Sequence, residues 1–72
     1  MATLKSIGRS IAQERIRQKL TQEDLAGLAE IDRSFLSNIE NGHNNFSMQM
    51  FLEISEALSV NPSELLNDNV FG

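Results

Sequence analysis

Residues Thr21–Gly42 read TQEDLAGLAEIDRSFLSNIENG. Thr21 carries a hydroxyl suited to capping a helix start, and Asp24, three residues on, completes a capping-box pattern. Leu25, Ala26, Leu28 and Ala29 then form the side expected to be buried. Asp32 is a second capping residue. Phe35, Leu36 and Ile39 follow it at helical spacing, and Asn41-Gly42 is a stop signal. Only Glu30, Ile31 and Asp32 separate the two segments. So short a connection makes two helices cross steeply, with Ala26 at the close approach and Ile31 plugging the turn.

The flanking sequence extends this helical pattern in both directions. Upstream, a first helix is predicted over roughly Lys5–Gln18 from the stripe Ile7, Ile11 and Ile16, with Leu20 following. His43-Asn44-Asn45-Phe46 reads as a loop, and Ser47 caps a fourth helix carrying Met48, Phe51, Leu52, Ile54, Ala57 and Leu58. Asn61-Pro62-Ser63-Glu64 combines a capping asparagine, a proline at the first helical position and a closing glutamate, so a short fifth helix follows with Leu65 and Leu66. Fraying is expected from about Asn67. No segment alternates with period two between turn signals. The fold class is therefore all-α, with five helices in one domain over residues 1–72.

Composition excludes several function classes. The 72 residues contain no cysteine and one histidine, His43, which removes disulfides, thiolate metal sites and multi-histidine sites. His43 itself reads as a loop residue. No apolar run approaches the ~20 residues of a membrane helix, and MATLKSIGRS lacks the core of a signal peptide. A cytoplasmic protein with no metal, cofactor or small-molecule ligand is expected. Glu23 and Asp24 have no nucleophile or phosphate loop beside them, so no enzymatic activity is expected. The net charge of −4 is polarised. All six bases (Lys5, Arg9, Arg15, Arg17, Lys19, Arg33) fall in the first 33 positions, which carry +1, and the remainder carries −5. One half can therefore face phosphates.

TQEDLA, LAEIDRSFLSNIENG and FLEISEALSVNPSELL, in this order and spacing, resemble the Cro/CI-type (XRE) family of helix-turn-helix DNA-binding proteins from about Ile11 to Leu66. The chain length, IDRSFLSNIENG and the loop before the fourth helix are similar to the controller proteins of restriction–modification systems. The resemblance implies a five-helix, lambda-repressor-like domain with its helix-turn-helix at about 22–41. Helices four and five, about 48–68, would serve packing and dimerisation. The third helix would enter the major groove, with Arg33, Ser34, Ser37 and Asn38 facing base edges. These residue types suit base reading, since arginine bonds guanine bidentately and asparagine reads adenine. Gln22, Asn41 and the backbone N–H groups after Gly42 would hold phosphates, with Arg17 a further backbone contact. Arg15 and Glu40 match the family's ion pair between helix one and the end of helix three. Glycine commonly stands in the family where this chain has Lys19, Glu30 and Ser59, so those three are expected in the left-handed conformation. Related controllers often carry arginines after Gly42, where this chain has His43, Asn44 and Asn45.

Phe46, Met50, Val70 and Phe71 do not fit the helical core pattern and are expected at a homodimer interface. The expected function is transcription regulation by a homodimer on a pseudo-palindromic operator in double-stranded DNA. With no sensing module expected, control would follow concentration through mass action, which suits autoregulation of a restriction–modification system. The alternative is an antitoxin-like or other protein-interaction module on the same fold, mildly favoured by the negative net charge.

Overall fold

A computed structural model describes residues 2–66 as five helices. These are α1 (Leu4–Arg17), α2 (Gln22–Ala29), α3 (Arg33–Glu40), α4 (Met48–Ala57) and α5 (Pro62–Leu66). Caps set the starts. Thr3 with Ser6 and Thr21 with Asp24 form reciprocal capping boxes, and Ser47 accepts the Met50 amide. At α2 the backbone N–H of Thr21 donates to the Asp24 carboxylate, which holds that carboxyl below its ordinary range. Asp32 stands at the N-cap of α3 with extended backbone, but its side chain makes no capping bond.

The ends of α1 to α4 share one device. After α1, Lys19 N–H bonds the Ile16 carbonyl and Leu20 N–H bonds that of Arg15. The same paired bonds recur at Glu30 and Ile31, at Gly42 and His43, and at Ser59 and Val60. Each is a Schellman closure, which requires a left-handed residue. Lys19, Glu30, Gly42 and Ser59 are that residue, with φ of 62°, 59°, 75° and 58°. The three non-glycine positions are those the family comparison in the sequence predicts. The residue following each, Leu20, Ile31 and Val60, is apolar and packs on the core. Because Lys19 is exposed and in left-handed backbone, Lys19→Gly is expected to stabilise the fold by up to about 1 kcal/mol in urea denaturation. A loss would mean that the lysine side chain contributes more than its backbone strain costs.

The core is Ile11, Leu25, Ala26, Ala29, Leu36, Ile39, Phe51, Ile54, Leu58 and Leu65. Helix α3 packs on α1 and α2, while α4 packs on α2 and α5, and α5 returns to α1. Buried Ser55 donates its hydroxyl to the carbonyls of Phe51 and Leu52, so it costs the core no unpaired polar atom. Several expected core residues lie outside it. Ile16, Leu28 and Met48 are exposed, as are Leu52 and Leu66. In α2 only one side of a two-turn helix meets neighbours, and Leu25, Ala26 and Ala29 occupy it. Phe46 and Met50 differ the other way: both are half-buried against the core, and the Phe46 ring lies 6.1 Å from that of Phe51. Val70 and Phe71 lie outside the described residues.

Two glycines have opposite surroundings. A Cβ on Gly8 would stand 2.1 Å from the Ile39 carbonyl oxygen, so α1 and the last turn of α3 meet backbone to backbone. A Cβ on Gly27, in the middle of α2, would meet nothing within 4 Å. Gly27→Ala therefore gains helix propensity with no steric cost. An increase of about 0.5–1 kcal/mol in unfolding free energy is expected. An unchanged or lowered midpoint would show that Gly27 is needed for something besides the helix.

Candidate nucleic-acid interface

The segment Thr21–Gly42 folds as α2, a tight left-handed turn at Glu30, and α3. Burial of Phe35, Leu36 and Ile39 against the core turns the other side of α3 outward. Arg33, Ser34 and Asn38 are exposed there and Ser37 is half-buried, so the four expected base-reading residues share one helix surface. Gln22 opens α2 and is brought against that surface. Its side-chain carbonyl accepts from Arg33 Nη1 at 3.4 Å, and its Nε2 donates to Glu40 Oε1 at 2.9 Å.

Glu40, 5% exposed, is the hub behind the surface. Arg15 donates to it twice, from Nε at 2.8 Å and Nη2 at 3.1 Å, and donates a third bond from Nη1 to the Leu20 carbonyl at 2.8 Å. A carboxylate at a helix C-terminus is disfavoured by the helix dipole, and the Arg15 guanidinium offsets this. The Arg15–Glu40 pair expected from the family is thus present. The link from Glu40 to Gln22 was not expected. Only their separation in sequence hid it, since donor and acceptor stand 18 positions apart.

Asn41 and Arg17, the other side chains expected at phosphates, both make bonds within the chain. Asn41 N–H bonds Ser37, Gly42 N–H bonds Ile39 and His43 N–H bonds Asn38, all carbonyls of α3. These three amides close the helix and do not form an open anion cradle. Asn41 also donates Nδ2 to the Ser37 carbonyl at 2.9 Å, although its amide keeps a second hydrogen. Arg17 is removed from the α3 surface. It lines a groove with Ser10, Gln13, Val60, Glu64 and Leu65 beside α5, and both its Nε and Nη2 donate to Glu14. Those bonds, with one from Gln18, hold the Glu14 carboxyl below its ordinary range and raise Arg17 above its own.

No helix among the described residues is long and apolar enough to cross a membrane, and no group of three or more His, Asp or Glu there is placed to hold a metal. A helix-turn-helix with a polar, partly basic outer face on its second helix defines a class. The chain belongs to the Helix-turn-helix family of Cro/CI (XRE) type, DNA-binding transcription regulators, whose family model matches residues 11–65. Within that class its relatives include restriction–modification control proteins. The control protein C.BamHI of Bacillus amyloliquefaciens is 35% identical over 66 residues, covering 90% of this chain and 82% of that protein. The crystal structure of the controller protein C.AhdI from Aeromonas hydrophila superposes with a TM-score of 0.84 at 35% identity, over 86% of this chain and 94% of that one. The controller C.Esp1396I, seen as a tetramer in complex with its natural 35 base-pair operator, matches with a TM-score of 0.80 at 29% identity, over 86% and 82% of the two chains.

Proposed function

We propose that this chain is a sequence-specific regulator of transcription that binds a pseudo-palindromic operator as a homodimer and controls a restriction–modification system. The observation that carries the reading is the joint display of Arg33, Ser34, Ser37 and Asn38 on one side of α3, with Gln22 against Arg33. Arginine and asparagine there offer the bidentate pairings that distinguish guanine and adenine in the major groove. The similarity to a controller solved on its operator supports the same class of partner. Selection from a randomised duplex library tests it. The enriched duplex is expected to be an inverted repeat with half-site centres about 34 Å apart, one DNA turn. Enrichment of nothing, or of a single unpaired half-site, is incompatible with the reading.

Helices α4 and α5 supply the pairing surface in this proposal. Leu4, Met48 and Leu66 are exposed around a groove of about 220 Å³ that also takes in Phe46 and Phe51, and Leu52 is exposed one turn after Met48. Because Phe46 and Met50 are packed in the monomer, Met48 and Leu52 are the better probes. Met48→Glu with Leu52→Glu is expected to weaken self-association at least about tenfold while leaving the helical circular dichroism intact. Sedimentation equilibrium reads the first effect, and a dimer of undiminished strength places the interface elsewhere.

A further inference from the structure

Four side chains join end to end from the buried side of α1 to the tip of α3: Arg15 to Glu40, Glu40 to Gln22, and Gln22 to Arg33. The order of donors and acceptors along them is fixed. Glu40 is a carboxylate that only accepts, so Gln22 must turn its NH₂ toward Glu40, and its carbonyl oxygen then faces Arg33. An arginine only donates, so this is the orientation in which Gln22 attracts Arg33. We propose that Glu40, which is too buried to meet DNA, is a positioning residue for sequence reading: by orienting Gln22 it holds Arg33 in place for its base contact. The proposal rests on the DNA reading above.

The logic is exposed by removing the acceptor. The Oε1 position receives Arg15 Nη2 and Gln22 Nε2, and the Oε2 position receives Arg15 Nε. A glutamine at 40 would keep an oxygen on the Oε1 side, where two donors meet, and leave Gln22 as it is. In Glu40→Met no acceptor remains, so nothing fixes the Gln22 amide. It can then turn its NH₂ to Arg33, donor to donor, and Arg33 is released. At 3.4 Å the bond to Arg33 is long, so what is lost is a directional restraint of moderate size.

The readout is the ratio of affinities for the duplex selected by wild type and for the same duplex changed at one base pair. The base pair read by Arg33 is the one whose preference disappears in Arg33→Ala. Glu40→Met is expected to lower the ratio there about three- to tenfold and to leave the ratios at the other positions near wild type. A purely structural role would lower affinity for all duplexes together and leave the ratios unmoved. Gln22→Met keeps the Arg15–Glu40 pair, so it tests the same link if Glu40→Met does not fold. It is expected to reduce the same ratio, whatever uniform loss accompanies it, and the double variant to do no more than the stronger single one. Undiminished discrimination in Gln22→Met, or in folded Glu40→Met, overturns the proposal and leaves the DNA reading standing. A library from which wild type enriches nothing overturns the DNA reading and this proposal with it.

Discussion

Gly8→Ala is expected to lower the unfolding free energy by about 3 kcal/mol. Alanine is the better helix former by up to about 1 kcal/mol, so intrinsic propensity predicts the opposite sign. Sterics decide. The added carbon would sit 2.1 Å from the Ile39 carbonyl oxygen and 2.9 Å from that of Glu40. Both obstacles are backbone, in a helix whose own bonds and Schellman closure hold it, so no rotamer change relieves the clash. The helices must part, and Ile11, Leu36 and Ile39, all fully buried, lose contact where they do. A domain of 72 residues has a total stability on the order of 4–10 kcal/mol. The melting temperature should therefore fall by roughly 12–24 °C, read by circular dichroism. Separation of α1 from α3 would also stretch the Arg15–Glu40 pair that orders the DNA surface. Gly27→Ala is the internal control, expected to move the other way in the same assay. If both variants melt within a few degrees of wild type, α1 and α3 are not in backbone contact.

These two glycines mark what the sequence could and could not tell. Helix starts and stops were legible because capping depends on residues three apart, and a tight turn on the residues within it. The left-handed backbone at Lys19, Glu30 and Ser59 was legible for a different reason: the family resemblance implies glycine there, and the closing bonds need that geometry. Gly8 gave no such signal. In a sequence it is a weak spot in a helical stripe, and only the packed structure shows a carbonyl pressed against it. Leu28 failed in the converse way, because its spacing fits an apolar face but α2 is too short to be covered on more than one side. The interface divides along the same line. Arg33, Ser34, Ser37 and Asn38 follow from which face of α3 is apolar, and that face was readable. The Gln22–Glu40 bond and the use of the amides of Asn41, Gly42 and His43 to end α3 depend on how helices meet and where carbonyls point, which residue spacing does not encode.

Arg33→Ala should separate DNA recognition from stability. Arg33 is exposed, and its side chain bonds only Gln22 among the described residues, at 3.4 Å. Its removal should change the unfolding free energy by no more than about 0.5 kcal/mol. On the selected duplex the same change is expected to cost about 1–3 kcal/mol and to flatten preference at one base pair per half-site. Gln22→Ala should differ. Loss of the phosphate contact expected of Gln22 would weaken good and poor sequences alike, and release of Arg33 would lower part of the discrimination too. Salt dependence distinguishes the roles. With Arg15 and Arg17 engaged by Glu40 and Glu14, four cations per subunit remain (Lys5, Arg9, Lys19 and Arg33), of which two or three are expected to meet phosphates. The wild-type dimer should then lose affinity with a log–log slope of roughly 4 to 5. If Arg33 meets a base, its loss leaves that slope nearly unchanged, whereas a phosphate contact from each subunit would lower it by about 2. Gln22 is neutral and should not move the slope. A salt titration of wild type and both variants, on the selected duplex and on its single-base changes, gives slope and discrimination together. Arg33→Ala with a reduced slope and every base preference intact would place Arg33 on the DNA backbone and take base reading away from the start of α3.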